Sequence, residues 1–217
     1  VAEVVVGAET VTEQLFAALL VGGHVLLDDV PGVGKTTLAR AGGGRAARDC
    51  RRGPCPPDPV PHEGTGDEIY DERSGRFESR PGPLMANVVL GGEINRATPR
   101  AQSSLLEAMQ EGQITVDETT HRLPDPFFLI ATQNPIELEG TFPLPEAQLD
   151  RFLFLLNLGY PTMDEEAKML ARLQMGHPID DLKPVVSADD VIACQEAIRS
   201  VHVDDKVTRY ILNVVHS

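Results

Sequence analysis

Long apolar runs are missing from this chain of 217 residues. No stretch reaches the roughly 20 consecutive apolar residues that a helix needs to cross a bilayer. The N-terminal residues carry no basic segment ahead of an apolar one, so neither a membrane span nor a secretory leader is expected, and a cytoplasmic location is. Cysteine is scarce: Cys50, Cys55 and Cys194 are odd in number, lack the paired short spacings of a zinc site, and are expected to be free thiols. Basic side chains are in deficit, 19 against 33 acidic ones, and the formal net charge of -14 argues against a surface that coats nucleic acid. Also absent is a G-x-G-x-x-G turn with a ribose-binding acid downstream, which counts against a dinucleotide-dependent oxidoreductase. What is present, 41% hydrophobic and 24% charged residues, is the composition of a globular domain long enough to bury a substantial core. Because it begins at Val1 and stops at Ser217 within a helical pattern, the chain is expected to be a fragment.

Against that background one stretch stands out. Asp29-Val30-Pro31-Gly32-Val33-Gly34-Lys35-Thr36-Thr37 lies between the apolar run Val25-Leu26-Leu27 and the helix-like Leu38-Ala39-Arg40-Ala41. The order is that of a buried strand, a phosphate loop and the start of a helix. In such a loop the backbone N–H groups and the helix N-terminus face one concavity and hold phosphate oxygens. Lys35 is expected to reach the β/γ-phosphates, and the Thr36 hydroxyl to ligate Mg²⁺. Asp29 departs from the G-x-x-x-x-G-K-[ST] template, standing where its first glycine belongs.

The rest of the chain reads as alternating strands and helices. Thr10 is an N-cap candidate for a first helix that Gly22-Gly23 stop. Residues 42–63 are rich in glycine, arginine and proline, which excludes a central strand, and they are expected to be irregular or disordered. Residues 69–80 form two short runs about Ser74-Gly75, the pattern of a hairpin, and residues 113–122 form another about Asp117-Glu118. Asn87-Val88-Val89-Leu90, Phe127-Phe128-Leu129-Ile130-Ala131 and Phe152-Leu153-Phe154-Leu155-Leu156 read as strands of a parallel sheet. A helix is expected from Thr98-Pro99 to Gly112, a short one over residues 146–150, and three more over 163–174, 188–200 and 204–216. The expected fold is an α/β sandwich with a mainly parallel central sheet over residues 1–161, followed over 162–217 by the start of a small all-α domain.

The strand ends deliver Glu93 and Asn134 to the edge where open α/β sheets place their ligands. Phosphoryl transfer to water needs a cation set, a carboxylate near the water and a polar group on the phosphate, all converging on one point. At this stage the motifs Val30-Pro31-Gly32-Val33-Gly34-Lys35-Thr36, Arg80-Pro81-Gly82-Pro83, Glu93-Ile94-Asn95-Arg96-Ala97, Leu105-Leu106-Glu107-Ala108-Met109-Gln110-Glu111, Ala131-Thr132-Gln133-Asn134-Pro135 and Leu144-Pro145-Glu146-Ala147-Gln148-Leu149-Asp150-Arg151-Phe152 occur in order. Together they resemble the MoxR-type AAA+ ATPases.

The resemblance implies an AAA+ P-loop NTPase with ATP and Mg²⁺ as cofactors. It implies a phosphate grip over Pro31, Gly32, Val33, Gly34, Lys35, Thr36 and Thr37, with Val6 and Gly7 near the adenine. It also implies that Glu93 is the Walker B glutamate that polarises the attacking water, that Asn134 is sensor 1, and that Arg151 is an arginine finger acting on the neighbouring subunit's nucleotide. By the same resemblance, the hairpin over residues 69–80 projects into the pore of a homo-oligomeric ring. Such a ring remodels a client protein or matures its metal cofactor, often with a von Willebrand factor A-domain partner.

Departures from the family pattern bear on the chemistry. Gly92 stands where the family has the Walker B aspartate that helps organise the Mg²⁺ shell, so ATP binding with weak hydrolysis is expected, with Asp28 and Asp29 as nearby acids that partly compensate. A nucleotide-binding but hydrolysis-impaired structural or regulatory subunit is therefore the competing reading. Residues 42–63 do not match the helix end and second strand expected there; their composition is that of a GC-rich gene read out of frame, which resequencing would decide. No sensor 2 arginine is assignable before the chain stops.

Overall fold

Three of the apolar runs become central strands buried on both faces. A computed structural model describes residues 7–28, 38, 50–53, 66–71, 76–81, 84–116, 119–135, 140–173 and 185–216. Five strands, β1 (Val25–Asp28), β2 (Cys50–Gly53), β5 (Val88–Gly91), β8 (Phe128–Gln133) and β9 (Phe154–Leu156), pair in the order β2-β5-β8-β1-β9. Every pairing is parallel.

Successive side chains of a strand point to opposite faces, and the core divides accordingly. Val25, Leu27, Val88, Leu90, Phe128 and Ile130 pack on one side with Leu15, Ala18 and Leu19 of α1 (Glu9–Val21). Leu26, Val89, Leu129 and Ala131 pack on the other with Leu105 and Ala108 of α2 (Pro99–Glu111). Leu26 and Leu27 are completely buried, each contributing roughly 1.5–3 kcal/mol of transfer free energy. Continuous apolar runs were the expected signature of strands covered on both faces, and the three central strands β5, β8 and β1 have it, whereas Leu155 of the edge strand β9 is exposed.

Local chemistry sets the element ends. Gly22 ends α1 in the left-handed region at φ 72°, where its N–H satisfies the carbonyls of Ala18 and Leu19. Thr98 caps α2 by accepting from the Ala101 N–H, Pro99 takes the first turn, and Gly112 at φ 60° closes it. Thr10 is not the cap of α1: the cap position falls two residues earlier, at Ala8, and it is the Thr12 hydroxyl that donates to the Ala8 carbonyl at 2.7 Å.

A second correction concerns residues 50–53, expected to be irregular, which form β2. They are free of proline, which begins at Pro54, and β2 lies at the sheet edge with hydrogen bonds to β5 alone. Proline excludes a central strand, and an edge pairing of four residues asks much less of its surroundings.

Both hairpins form as expected: β3 (Gly66–Asp71) pairs antiparallel with β4 (Arg76–Pro81), and β6 (Gln113–Val116) with β7 (Thr119–Arg122). Their turns, residues 72–75 and 117–118, lie outside the described residues. The short helix α3 (Glu146–Leu149) precedes β9, and the remaining helices are α4 (Met163–Leu173), α5 (Ala188–Arg199) and α6 (Asp205–Val215). Ser187 and Asp190 cap α5 reciprocally. That helix packs on α1, with Val191 in the core and the Gln195 amide donating to the Leu19 carbonyl at 2.7 Å. Among the described residues no helix is long and apolar enough to cross a membrane.

His24 ties the start of β1 to two distant segments. Its Nδ1 accepts the Leu129 N–H at 3.2 Å and its Nε2 lies 3.1 Å from the Met109 carbonyl, so the neutral ring with the proton on Nε2 satisfies both. Burial holds its pKa below the ordinary 6.5, opposed in part by the bond to Met109.

Candidate functional site

Parallel strands present all their C-terminal ends at one edge, and the register here aligns them. Asp28 of β1 pairs with Gln133 of β8, and Gly91 of β5 pairs with Ala131 of the same strand. Glu93, two residues past Gly91, lies beside Thr132 of β8, its N–H 3.0 Å from the Thr132 hydroxyl, and Asn134 follows directly on the end of β8. Adjacent strands are about 4.8 Å apart, so Asp28, Glu93 and Asn134 occupy one short arc of the sheet edge.

The turn that carries Glu93 is fastened from three directions. Glu93 adopts φ 53° and ψ 53°, the one left-handed non-glycine residue among those described, and it opens the 3-10 helix Ile94–Arg96. Its N–H donates to the Thr132 hydroxyl at 3.0 Å, which ties the turn to β8. The Asn95 amide donates to the Asn134 carbonyl at 3.1 Å, and the Asn95 carbonyl accepts the Phe142 N–H at 2.6 Å. From α2, the Gln102 amide donates to the carbonyls of Ile94, at 3.1 Å, and Phe142, at 2.8 Å. Asn95, Gln102, Thr132 and Asn134 are all buried, where a polar group is stabilising only when its partners are in place, and Asn95 Oδ1 has none. The Glu93 side chain is about half-exposed, and its carboxylate pairs with the Arg96 guanidinium, Nε to Oε2, at 3.1 Å.

The expected residues fare differently. Glu93 and Asn134 are brought together. Val6, Pro31, Gly32, Val33, Gly34, Lys35, Thr36 and Thr37 lie outside the described residues, as does Asp29. Their flanks are described: β1 ends at Asp28, and Leu38, helical and fully buried, belongs to the core cluster beneath α1. Gly7 sits at φ 78° against α4, with the Glu165 carboxylate occupying the place where a Cβ would fall. That carboxylate is held below its ordinary pKa by the backbone N–H and hydroxyl of Thr162.

Arg151 is not with the others. It precedes β9, whose first residue pairs with Val25 at the start of β1, so it lies toward the N-terminal edge of the sheet, opposite Glu93 and Asn134. Its guanidinium donates through Nη1 to the Ala147 carbonyl of α3, while Nε is buried without a hydrogen-bond partner.

One atom tests whether a magnesium nucleotide suits the edge. Asp28 Oδ1 is buried without a hydrogen-bond partner at the residue where the loop begins. A buried acceptor left unmet is costly, and a cation with its water shell supplies what is missing. A carboxylate oxygen is the donor a hard cation takes, so Asp28 fits the group.

Thr132, Asn95 and Gln102 had no assigned role in the sequence. Thr132 and Asn95 lie inside motifs that drew attention for their neighbours, and Gln102 on the helix that follows; what marks them is burial of a polar side chain, a property no local pattern reveals.

Comparison with known proteins places the chain in a family. The profile of the ATPase family associated with various cellular activities (AAA) matches residues 24–154. The chain is 50% identical over 212 residues to the uncharacterised protein YeaC of Bacillus subtilis, covering 98% of this chain and 66% of that protein. It is 41% identical over 219 residues to chaperone MoxR1 of Mycobacterium tuberculosis, covering 99% of this chain and 56% of that one. A crystal structure from Cytophaga hutchinsonii, described as an ATPase, is similar with a TM-score of 0.88 at 37% identity, covering 99% of this chain and 65% of that one. The chain thus spans between 56% and 66% of the length of these relatives.

Proposed function

The chain belongs to the MoxR-type AAA+ ATPases, and from that premise we propose that it binds ATP with Mg²⁺ at the C-terminal edge of its parallel sheet. Hydrolysis there is coupled to chaperone-like remodelling, or cofactor maturation, of a partner protein. The observation that carries this reading is the convergence of Asp28, Glu93 and Asn134 on one arc of that edge, with the Glu93 turn tied to β8 through Thr132 and Asn95.

Each residue then has a task. The loop from Pro31 to Thr37 surrounds the phosphates with N–H groups, Lys35 neutralises the β/γ charge, and the Thr36 hydroxyl faces the metal. Mg²⁺, when bound, would be held by the Thr36 hydroxyl with Asp28 nearby and would supply neutralisation of the phosphate charge. Glu93 accepts a hydrogen bond from the attacking water and polarises it, and Asn134 holds the water and γ-phosphate in line. Arg151, toward the opposite edge of the sheet, is suited to the nucleotide of the next subunit in a homo-oligomeric ring. The β3–β4 hairpin is read as a pore element, helices α4 to α6 as the start of the lid, and a von Willebrand factor A-domain protein as a working partner in the cytoplasm.

One observation favours a second reading. Gly92 leaves the residue before Glu93 without a carboxylate, and a module that binds nucleotide yet barely turns it over would serve as a regulatory subunit of a mixed ring.

Nucleotide binding, phosphate release and mass by size exclusion, with and without ATP, test these readings together. Lys35→Ala is expected to abolish nucleotide binding. Glu93→Gln is expected to keep binding while lowering turnover by about 10²-fold or more. Binding that survives Lys35→Ala removes the phosphate-loop assignment, and binding without turnover in every form selects the regulatory subunit.

A further inference from the structure

We propose that Arg96 is a positioning residue for Glu93, holding its carboxylate in the orientation from which it polarises the attacking water. The proposal rests on the assignment of Glu93 to that water. The pair is formed across a single 3-10 turn, Arg96 Nε to Glu93 Oε2 at 3.1 Å.

The backbone around the pair is pinned and the side chain is not. Thr132 holds the Glu93 N–H, Asn95 is bonded to Asn134, and Gln102 holds the Ile94 carbonyl. Glu93 itself occupies a left-handed conformation, which persists in a non-glycine residue only where the surroundings determine it. Yet its side chain is 55% exposed, and an exposed glutamate on a fixed backbone samples several staggered rotamers. A water in line with a phosphate tolerates little of that freedom, since a displacement of about 1 Å costs on the order of 10²-fold in rate. Arg96 removes it. Its Nε–H engages one carboxylate oxygen, Oε2, while its backbone is held by the same turn, its N–H bonded to the Glu93 carbonyl at 2.8 Å. The guanidinium offers rigidly placed N–H donors that suit a carboxylate.

An exposed ion pair three residues apart is commonly ornamental, contributing almost nothing to stability. That reading and this one differ in where the loss falls. Ornament predicts no change in turnover, whereas positioning predicts a loss in kcat with the ATP KM and the melting temperature unmoved.

The test is a double-mutant cycle on the whole chain, reading phosphate release, ATP KM and melting temperature for Arg96→Ala, Arg96→Lys, Glu93→Gln and the double variant. The same set is built on Gly92→Asp, so that a weak parent rate does not hide the effect. Arg96→Ala is expected to lower kcat about tenfold, a minor part of the roughly 10²–10⁴-fold that a general base supplies. Arg96→Lys should recover most of it. On the Glu93→Gln background, Arg96→Ala should cost nothing more. The proposal is overturned by an Arg96→Ala kcat within twofold of the parent or above it, or by an equal loss on the Glu93→Gln background, which would make Arg96 act independently of that carboxylate. If Glu93→Gln itself turns over like the parent, the assignment of Glu93 has failed and the role of Arg96 falls with it. A large loss in Glu93→Gln with none in Arg96→Ala refutes the positioning alone.

Discussion

Replacing Gly92 by aspartate places an acid immediately before Glu93, where the resemblance to the MoxR-type ATPases leads one to expect it. The site accepts the change without strain: the backbone there is not left-handed, and a Cβ at Gly92 would meet nothing within 4 Å. Loss of glycine freedom from the unfolded chain stabilises by roughly 0.4–1 kcal/mol. The new carboxylate lies next to Glu93, and two like charges about 7 Å apart in water repel by about 0.6 kcal/mol. These effects nearly cancel, so the melting temperature should move by no more than about 2 °C. Turnover should respond far more, because groups that organise a metal's surroundings change affinity or activity by roughly 10–100-fold. The expected result is a rise in kcat of about tenfold or more at saturating ATP and Mg²⁺, with ATP affinity nearly unchanged. Phosphate release and thermal melting on the same preparation check it. A folded, ATP-binding Gly92→Asp protein with the parent's turnover would refute the argument that the missing carboxylate limits hydrolysis.

Two further outcomes follow from buried or displaced groups. Acidification should weaken the fold through His24, whose pKa burial holds below the ordinary 6.5. The unfolded chain then takes up the proton first, so stability is complete above about pH 6.5 and is lost as pH falls toward the folded-state value, by at most about 1.4 kcal/mol per unit. Urea midpoints at pH 7.5 and 5.5 should separate more for the parent than for His24→Gln, and equal separations would refute the assignment. Arg151→Ala and Lys35→Ala proteins should each be inactive alone and regain activity when mixed, because about a quarter of the interfaces in a random equimolar ring pair an intact Lys35 with a neighbour's intact Arg151. Phosphate release of the mixture no higher than the mean of the two would exclude action between subunits.

Much of the fold was legible because its signals are local. Val25 to Leu27, Val88 to Leu90 and Phe128 to Ala131 are apolar without interruption, which a chain shows only where both faces of a strand are covered. Gly22, Gly112, Thr98 and Ser187 end or start helices through conformations and hydrogen bonds that involve residues no more than four positions away. Glu93 and Asn134 were found for a related reason, each following such a strand at the edge where ligands gather.

By itself, then, the sequence determined the central strands and most of the helices, where most of them stop, and which acids and amides the strand ends carry. Tertiary structure alone decided the order β2-β5-β8-β1-β9, the use of Cys50 to Gly53 as an edge strand, the clamp that Thr132, Asn95 and Gln102 place around Glu93, and the removal of Arg151 to the other edge. The reason is the range of the interactions. Backbone periodicity and capping act within a turn or two of chain, whereas His24 meets Leu129 across 105 positions and Glu93 meets Thr132 across 39, partners that only the packed sheet brings within a hydrogen bond of each other.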